Sequence, residues 1–373
     1  MLLKKVEWTF KKLLMKFLEL IIHVKKYDKI DINNSKNILV IRQHNQLGDM
    51  LCATPLFRAL KEKFPHSRIT LVSGIVNTQI VLNNPFLDRV IEYNNVKILR
   101  SPLKLINFIR ELRKEKYNFV VVPATVSMSV TSDLIAFFSR ARYRIGVVSL
   151  SGKRNLTGFL YNYPVIINWE KDSLKHQTER NIDVLKDFSI STNDYSLVIG
   201  LTDEEILKGK EFYNNYHQKG KISVGIHAGA GKIKNQWPCE KFEELIDKLI
   251  LEQNCEIFMT IGPMDESVYE YFKDKPQIKF IKGMNVRHVA AILKNLDIFI
   301  SNDTGIMHLA SAVGLPVLSF FGNTDPIQWA PRGKYDKYLL GKDNKIENIS
   351  VEKAYNTFLK MINDINFLKI NNE

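Results

Sequence analysis

The stretch DIFISNDTGIMHLASAVGLPVLSFFG, residues 297–322, decides the fold. An apolar run ends at Asn302, a polar turn of Asp303, Thr304 and Gly305 follows, and a helical pattern leads into a second apolar run at 316–322. Apolar runs joined by helices are typical of parallel strands in a sheet that helices cover on both faces. The stretch therefore predicts an α/β fold.

The same alternation runs through both halves of the chain. In the first half it predicts strands at 37–43, 68–74, 89–94, 119–124 and 143–148, and helices at 49–63, 101–116, 131–140 and 175–188. In the second half it predicts strands at 222–229, 256–262, 278–283, 297–302 and 316–322, and helices at 238–253, 265–274, 286–295, 304–313 and 351–364. A chain of 373 residues is long for one core, so we expect two doubly wound, Rossmann-like domains, with ligands at the carboxyl ends of their strands. The expected segments are 1–36, 37–200, 201–345 and 346–373, with the domain boundary near 190–215.

The composition limits the class of partner. A net charge of +13 suits nucleic acid, anionic lipid or a phosphorylated sugar, and does not choose among them. The chain has only three cysteines, Cys52, Cys239 and Cys255, which favours a reducing compartment. They form no CxxC pair, and their spacing is not that of a zinc site. No cleavable signal peptide is evident, so we expect a cytoplasmic protein. The lack of a zinc-site spacing predicts that it has no metal site.

Residues 1–26 have the pattern of a basic amphipathic helix. At about 100° per residue, an apolar face lies opposite a face rich in lysine. The apolar face contains Leu3, Val6, Phe10, Leu13, Leu14, Phe17, Leu20, Ile21 and Val24. Lys16 and Glu19 interrupt the run, so the segment suits the membrane interface better than a membrane crossing. The alternative is a helix that packs on its own domain or on a dimer partner.

The turn of Asp303, Thr304 and Gly305 is the strongest candidate site. Free N–H groups at a helix start bind phosphate, and Gly305 lets the backbone approach a ligand closely. Thr304 adds a hydroxyl, and His308 lies one turn further on. The alternative is that Asp303 or Thr304 only caps the helix and His308 packs in the core.

Two further loops follow strands of the second half. In HAGAGKIKNQWP (227–238), Gly229 and Gly231 with Lys232 and Lys234 suit a diphosphate, or form a mobile loop with solvated lysines. In IGPMDES (261–267), Asp265 or Glu266 suits a ribose diol, or enriches the first turn of a helix in negative charge.

The first half offers a base and two sets of cations. Asp49 follows a strand in IRQHNQLGDMLCATP (41–55) and is a general base for an attacking hydroxyl or else a helix cap. Arg42 and His44 flank it and suit an anionic group of a substrate, although structural roles are equally open. Arg140, Arg142, Arg144, Lys153 and Arg154 suit an acidic acceptor or form a solvated surface.

These motifs together resemble glycosyltransferase family 9, the ADP-heptose:lipopolysaccharide heptosyltransferases. The resemblance runs from about Asn37 to Trp329. It rests on IRQHNQLGDMLCATPLFRAL, on the glycine-rich loop that ends in Trp237 and Pro238, and on NDTGIMHLASAVGLPVLSFFGNTDP. Residues 1–36 lie outside it.

The resemblance implies a GT-B fold, with the acceptor in the first domain and the nucleotide sugar in the second. It implies inverting transfer without a metal, Asp49 as general base, and Asp303, Thr304, Gly305 and His308 around the donor diphosphate. It places Met284 against adenine and Glu266 near the ribose, and it implies that the last helix crosses back onto the first domain. No DxD motif is present, which agrees with a metal-free reaction and no cofactor.

One departure and two alternatives remain. The family commonly has a lysine two positions before its Trp-Pro pair, where this chain has Asn235, so Lys232 or Lys234 would substitute. We expect an anionic glycolipid acceptor at the inner face of a bacterial cytoplasmic membrane, and no nucleic acid partner. The alternatives are a transferase of the same fold with another nucleotide sugar, for capsule or surface glycan, and a non-catalytic sugar-nucleotide-binding protein at the membrane.

Overall fold

The chain forms two compact units. The computed structural model describes the backbone of residues 2–371 and the side chains of residues 12–98, 100–170 and 172–365. The first unit comprises the residues up to Asn45 together with Ala53–Tyr195. The second comprises Gln46–Cys52 and the residues from Ser196 onward. The chain therefore leaves the first unit for seven residues and then returns, which no pattern in the sequence indicates.

The first unit contains a mainly parallel sheet. Its strands are β1 (Asn37–Arg42), β2 (Arg68–Gly74), β3 (Arg89–Tyr93), β4 (Phe119–Val122), β5 (Tyr143–Leu150), β6 (Lys153–Arg154) and β7 (Tyr163–Ile167). The order is β3-β2-β1-β4-β5-β6, and β7 pairs in parallel with β5. Central strands such as β4 are buried along their whole length, as expected of a sheet covered on both faces.

Helices in the chain up to residue 195 are short, apart from the first. They are α1 (Leu2–Ile21), α2 (Leu47–Leu51), α3 (Thr54–Lys63), α4 (Ile75–Val81), α5 (Asn95–Leu99), α6 (Pro102–Leu112), α7 (Val130–Phe138) and α8 (Gln177–Ile182). The prediction of one helix over 49–63 is wrong, because the chain forms α2 and α3 as separate helices. Pro55 is in the first turn of α3, where its missing N–H costs nothing, and a proline there favours a new helix start.

The second unit contains a six-stranded, fully parallel sheet in the order β10-β9-β8-β11-β12-β13. Its strands are β8 (Ile222–His227), β9 (Cys255–Ile261), β10 (Ile278–Lys282), β11 (Ile298–Asn302), β12 (Val317–Phe321) and β13 (Lys337–Leu340). Its further helices are α9 (Asp203–Tyr216), α10 (Cys239–Gln253), α11 (Glu266–Phe272), α12 (Val286–Leu293), α13 (Gly305–Ala312), α14 (Pro326–Trp329) and α15 (Val351–Asn371). The α/β class and the two Rossmann-like sheets are as the sequence predicts.

The last helix, α15, packs within the second unit. Its side chains Ala354, Phe358 and Met361 are fully buried in the same core as Phe242 and Leu245 of α10. The described side chains of α15 thus complete the core of the second unit, and the packing on the first domain that the resemblance implies stays a prediction. The helical spacing of its apolar residues predicts a buried face without revealing which core receives it.

The described side chains of helix α1, from residue 12 onward, present an apolar face to solvent. Phe17 is 59% exposed and Leu20 is 76% exposed, whereas Met15 on another face is buried. Glu19 pairs with Arg154 at 2.7 Å, and Lys26 donates to the carbonyl of Phe159, so this part of the chain is attached to the first unit. Among the described residues, no helix combines the length and the apolar character that a membrane crossing requires.

Candidate functional site

The site in the second unit lies where the strand order reverses. Strands β8 and β11 are neighbours, with Ser301 opposite His227 in the register, but their connections run to opposite sides of the sheet. In doubly wound sheets, ligands bind at the carboxyl ends of such a strand pair. Residues 228–238 follow β8, and Asp303 and Thr304 follow β11. The two strongest motifs of the second half therefore meet at one sheet edge.

Asp303 and Thr304 form the turn between β11 and α13. Thr304 is the N-cap residue of α13, but its side chain makes no capping hydrogen bond to the helix. Its hydroxyl lies 3.4 Å from that of Ser301. The Thr304 side chain thus does not cap the helix, and a helix start is a general binding site for anions because its first N–H groups lack partners within the helix.

The Asp303 carboxyl group faces a threonine and a lysine. Burial raises its pKa, while a hydrogen bond with Thr324 and the positive charge of Lys232 act in the opposite direction. A carboxylate does not itself attract phosphate. The positive charge of Lys232, on the exposed loop tip, thus acts on a residue next to the start of α13.

Asn302 joins the two ends of the glycine-rich loop. Its Nδ2 donates to the carbonyls of Ala228 at 2.9 Å and Gly229 at 3.1 Å, and its Oδ1 accepts from the backbone N–H of Trp237 at 3.0 Å. Asn302 is fully buried. Its role was not predicted from the sequence. A polar side chain at the end of an otherwise apolar strand is nevertheless a detectable signal, because buried polar groups need partners.

Between these anchored ends, the tip of the loop is exposed. Lys232, Ile233 and Lys234 are exposed, while Trp237 is fully buried and donates through Nε1 to the carbonyl of Ile349 at 3.0 Å. The loop is therefore held at both ends and presents its two lysines to solvent at the same sheet edge as Asp303.

The two acids after β9 have different environments. Asp265 is buried, accepts from the backbone N–H of Gly262 at 2.7 Å, and lies 3.8 Å from the ring of His227. Glu266 is 68% exposed and lies 3.2 Å from Lys282. Of the two, only Glu266 exposes its carboxylate to solvent, while Asp265 stabilises the loop around it.

Gly229 and Met284 are the remaining residues that were predicted to bind the nucleotide-sugar donor. A Cβ at Gly229 would lie 2.1 Å from Oδ1 of Asp265, so the close approach of this carboxylate requires glycine. Met284 is half-buried and follows Gly283, which has a positive φ of 74°, at the end of β10. Glu266 and Met284 lie after neighbouring parallel strands and therefore share the edge that carries Asp303.

Asp49 belongs to the second unit. It is in the first turn of α2, whose N-cap is Gln46, so Asp49 itself is not the cap. Helix α2 packs directly on α13: a Cβ at Gly305 would lie 2.9 Å from the Cβ of Leu47, and a Cβ at Gly48 would lie 2.7 Å from Cδ2 of His308. The structure thus brings the predicted base into the unit that carries the predicted phosphate turn.

His308 is buried beneath this helix pair. It is 2% exposed, and burial lowers its pKa to about 4, so the ring is neutral near pH 7. Its Nδ1 lies 3.8 Å from Sγ of Cys52, and its ring centre lies 6.3 Å from that of Trp329. His308 therefore contacts protein on the described sides of its ring.

Arg42 and His44 lie in the first unit, at the carboxyl end of β1. They line a pocket together with Ser127, Ser129, Ser132, Asp133, Asn155 and Tyr161. Arg42 is buried. One cation and several hydroxyl groups thus line this pocket.

A buried polar network forms the floor of this pocket. Asp133 accepts hydrogen bonds from Asn155 Nδ2 at 2.9 Å, from the hydroxyl of Thr157 at 2.5 Å, and from the hydroxyl of Tyr161. Burial raises the pKa of Asp133, and the same burial with the neighbouring carboxyl raises that of Tyr161 well above its usual value. This network was not predicted from the sequence, where its only signal is an acid within the apolar pattern of α7.

Arg142 and Arg144 are not brought together with Arg42 and His44. They lie at the start of β5, and parallel strands place that start at the sheet edge opposite to the carboxyl end of β1. Arg144 donates to the carbonyl of Leu160 at 2.8 Å, and burial lowers its pKa. Arg142 is exposed, with its guanidinium 5.0 Å from the ring centre of Tyr143. Arg144 therefore has a structural role in the first unit.

Metal-ligating side chains are dispersed in the part of the chain that the structure describes. No three or more of its His, Cys, Asp and Glu side chains are grouped in a way that could hold a metal ion. The cations at the candidate site are those of lysine and arginine side chains.

Comparison with known proteins identifies the family. The family model of glycosyltransferase family 9 (heptosyltransferase) matches residues 105–358. Lipopolysaccharide heptosyltransferase 3 of Escherichia coli K12 is 24% identical, over 76% of this chain and 82% of its own length.

Solved structures show the same fold. A glycosyl transferase family 9 structure from Veillonella parvula superposes with a TM-score of 0.77 at 22% identity, covering 90% of this chain and 99% of that chain. The E. coli heptosyltransferase WaaC with ADP gives a TM-score of 0.69 at 18% identity, covering 87% and 99%. The two Rossmann-like sheets are thus those of a GT-B fold. The chain is a glycosyltransferase and belongs to glycosyltransferase family 9, the heptosyltransferases.

Proposed function

We propose that the protein moves a heptose, or a closely similar sugar, from ADP-heptose to a lipopolysaccharide-core or related glycan, with inversion and without a metal ion. Membership of the heptosyltransferase family gives the general activity, heptosyl transfer in lipopolysaccharide synthesis. The observation that carries the finer proposal is the packing of α2, which bears Asp49, on the start of α13 within one unit. A base and an anion-binding helix start then belong to one structural element.

The donor diphosphate binds at the start of α13. The first N–H groups of the helix, the Thr304 hydroxyl and the Lys232 ammonium supply positive charge and hydrogen bonds to the leaving group. Lys232 is favoured over Lys234 because its charge acts on Asp303, the residue just before the helix start. Lys232 thus takes over the role of the lysine that Asn235 replaces.

The choice between the two lysines is tested by ADP binding. Lys232→Ala should raise the Kd of ADP about tenfold, because a charge-assisted hydrogen bond contributes about 1.5–3 kcal/mol. Lys234→Ala, two residues further along the same exposed tip, is the matched control and should change it by less than twofold. The reverse ranking in calorimetry would assign the diphosphate to Lys234.

The nucleoside binds at the ends of β9 and β10. Met284 packs against the adenine, and the exposed carboxylate of Glu266 accepts hydrogen bonds from the ribose hydroxyls. The solved E. coli heptosyltransferase with ADP, which shares the fold, supports an adenine nucleotide. Thermal shift with a panel of nucleoside diphosphates tests the base: stabilisation by UDP or GDP equal to that by ADP would contradict it.

Asp49 acts as the general base. Its carboxylate takes the proton of the acceptor hydroxyl as the hydroxyl oxygen attacks the anomeric carbon. The bond from that carbon to the distal phosphate oxygen breaks, ADP leaves with the electron pair, and Asp49 later releases the proton to water. Attack from the face opposite the leaving group inverts the anomeric configuration.

The acceptor binds through the pocket at the end of β1 in the first unit. Arg42 pairs with an acidic group of the glycolipid, and His44 and the pocket serines bind its hydroxyls. Arg42→Lys should raise the acceptor KM, since the planar fork of arginine matches a carboxylate in a way that an ammonium does not. An unchanged acceptor KM would remove Arg42 from the acceptor site.

Replacing the base tests the mechanism. Asp49→Asn should lower kcat by about 10²–10⁴, the usual contribution of a general base, with little change in donor KM or in the Kd of ADP. Near-normal turnover of this variant would refute the assignment. The metal-free reaction is tested by turnover in EDTA: a loss of activity that Mg²⁺ restores would contradict it.

Helix α1 holds the enzyme on the inner face of the cytoplasmic membrane. Its exposed apolar residues enter the interface, and exposed Lys12 and Lys16 contact anionic headgroups. Phe17→Glu with Leu20→Glu should weaken binding to anionic vesicles by more than about tenfold, since each buried side chain contributes about 1.5–3 kcal/mol. Leu207→Glu with Leu251→Glu, two exposed leucines of the second unit, is the matched control. Equal sedimentation of both double variants would exclude α1 as the membrane contact.

A further inference from the structure

We infer that His308 is a positioning residue for Asp49 and not a ligand of the donor diphosphate. This inference rests on the proposed role of Asp49 as the base. His308 fixes α2 on α13, so that the base keeps one position relative to the donor site.

The imidazole lies against a single face of α2. A Cβ at Gly48 would lie 2.7 Å from Cδ2 of His308 and 3.4 Å from Nε2, so this edge of the ring touches the backbone next to Asp49. The Nδ1 atom lies 3.8 Å from Sγ of Cys52. Gly48 and Cys52 are one turn apart, and the N–H of Cys52 donates to the carbonyl of Gly48 at 2.9 Å. His308 therefore supports the full length of this short helix.

A second contact fixes the other side of α2. Leu47 lies so close to Gly305 that a Cβ on that glycine would be 2.9 Å from the leucine Cβ. Two contacts, His308 with Gly48 and Leu47 with Gly305, prevent α2 from rotating or sliding on α13. A five-residue helix is too short to be stable alone, so these tertiary contacts determine its position.

The environment of His308 disfavours a role in phosphate binding. The ring is 2% exposed, and a histidine without a positive charge attracts a diphosphate only weakly. Burial keeps it neutral, with a pKa of about 4. Removing the ring should consequently leave the donor site intact and displace Asp49.

A double-mutant cycle with the base tests the inference. His308→Ala should lower kcat at least about tenfold, since a displacement of about 1 Å costs up to about 10²-fold, and should leave the Kd of ADP within twofold. In the Asp49→Asn background, the same substitution should lower kcat no further, because the group that it positions is already inactive. Each variant is measured at a temperature at which its unfolding curve shows a folded protein.

The outcomes separate the two proposals. If Asp49→Asn keeps its turnover, the proposed function fails. If Asp49→Asn is inactive but His308→Ala raises the Kd of ADP, or lowers kcat by the same factor in both backgrounds, only the positioning inference fails. Unchanged kcat in His308→Ala also overturns it.

A second variant covers the case in which His308→Ala does not fold. Leu47→Ala removes most of the side chain that packs on Gly305 and opens no cavity next to Trp329. It should lower kcat as His308→Ala does, leave ADP binding unchanged, and have no effect on kcat in the Asp49→Asn background. His308→Gln keeps a side chain of similar reach and should recover part of the lost kcat. Raised ADP Kd in either variant would contradict the inference.

Discussion

Asn302 is the residue whose substitution tests the construction of the donor site most directly. Asn302→Asp keeps the shape of the side chain and replaces the Nδ2 donor with an oxygen. The carbonyls of Ala228 and Gly229 then lose their donor, and the new carboxyl group faces two oxygens that repel its charge. The acceptor for the N–H of Trp237 remains.

The expected loss of stability has two parts. Two hydrogen bonds contribute about 0.5–1.5 kcal/mol each, which gives about 1–3 kcal/mol at any pH. The second part depends on pH, because burial raises the pKa of the new carboxyl group in the folded protein above its unfolded value of about 3.9. A group with a raised folded pKa binds more protons in the folded state, so this second part of the loss is small below about pH 4 and grows as the pH rises. The total loss should therefore be larger at pH 8 than at pH 5.

Urea unfolding of the wild type and the variant at pH 5 and pH 8 measures both parts. Asn323→Asp is the matched control: Asn323 is exposed at a neighbouring loop, and its amide is 3.5 Å from the carbonyl of Lys234. The control should lose less than about 0.5 kcal/mol at either pH. A loss at position 302 that is equally small, or that shrinks as the pH rises, would refute the account of the loop.

Two other substitutions have matched controls in the chain. Gly229→Ala should destabilise the protein by about 1–3 kcal/mol and weaken ADP binding, because its Cβ would lie 2.1 Å from Asp265. A Cβ at Gly231 would have no atom within 4 Å, so Gly231→Ala should be nearly neutral. Thermal unfolding and calorimetry measure the two effects. Glu205→Gln should destabilise by about 1–2 kcal/mol at pH 7, since a bidentate pair with Arg287 lowers the pKa of Glu205 to about 2 and the carboxylate is partly exposed. That contribution is complete above pH 4.5 and is lost as the pH falls toward 2, so the difference from wild type should shrink between pH 7 and pH 3. Exposed Glu204→Gln should show no such difference, and an equal effect of both glutamates would contradict the argument.

Much of the fold is predictable because its signals are local. The buried strands β1, β4, β8 and β11 appear as apolar runs, and the order of strands and helices in the chain indicates parallel sheets. Parallel sheets place ligands at the carboxyl ends of strands, so the positions of Asp303 and Glu266 follow from the sequence alone. The short strands β6, β7 and β13 lack this signal, and they pair only at the sheet edges.

The roles of individual side chains depend on contacts between distant residues. Asp265 and Glu266 are adjacent and equally acidic, yet only the structure shows that one is buried against Gly262 and the other is exposed. Arg144 has the charge expected of an acceptor ligand, but its position at the start of a strand directs it to a backbone carbonyl of its own unit. Charge in a sequence predicts a class of partner and does not predict which edge of a sheet carries it.

The packing of the segment from Gln46 to Cys52 is the clearest feature that the sequence does not predict. By its place in the chain it belongs to the first domain, and by its packing it belongs to the second unit. The only trace in the sequence is a pair of glycines, Gly48 and Gly305, in motifs that lie far apart along the chain. The structure explains why both positions are glycine: the close packing of α2 on α13 leaves no room for a Cβ at either one.

Under the proposed function, this packing also separates the residues that act on the reacting bond from those that bind the acceptor. Inverting transfer requires a base at the acceptor hydroxyl and positive charge at the leaving phosphate, and errors in either position slow the reaction. With Asp49 held on the helix that begins at Gly305, a single set of contacts would determine both. The acceptor pocket with Arg42 would then need only to select and orient the glycan. Substitutions in that pocket should accordingly change acceptor KM, whereas substitutions at the α2–α13 contact should change kcat, and kinetics that mix the two classes would contradict this division.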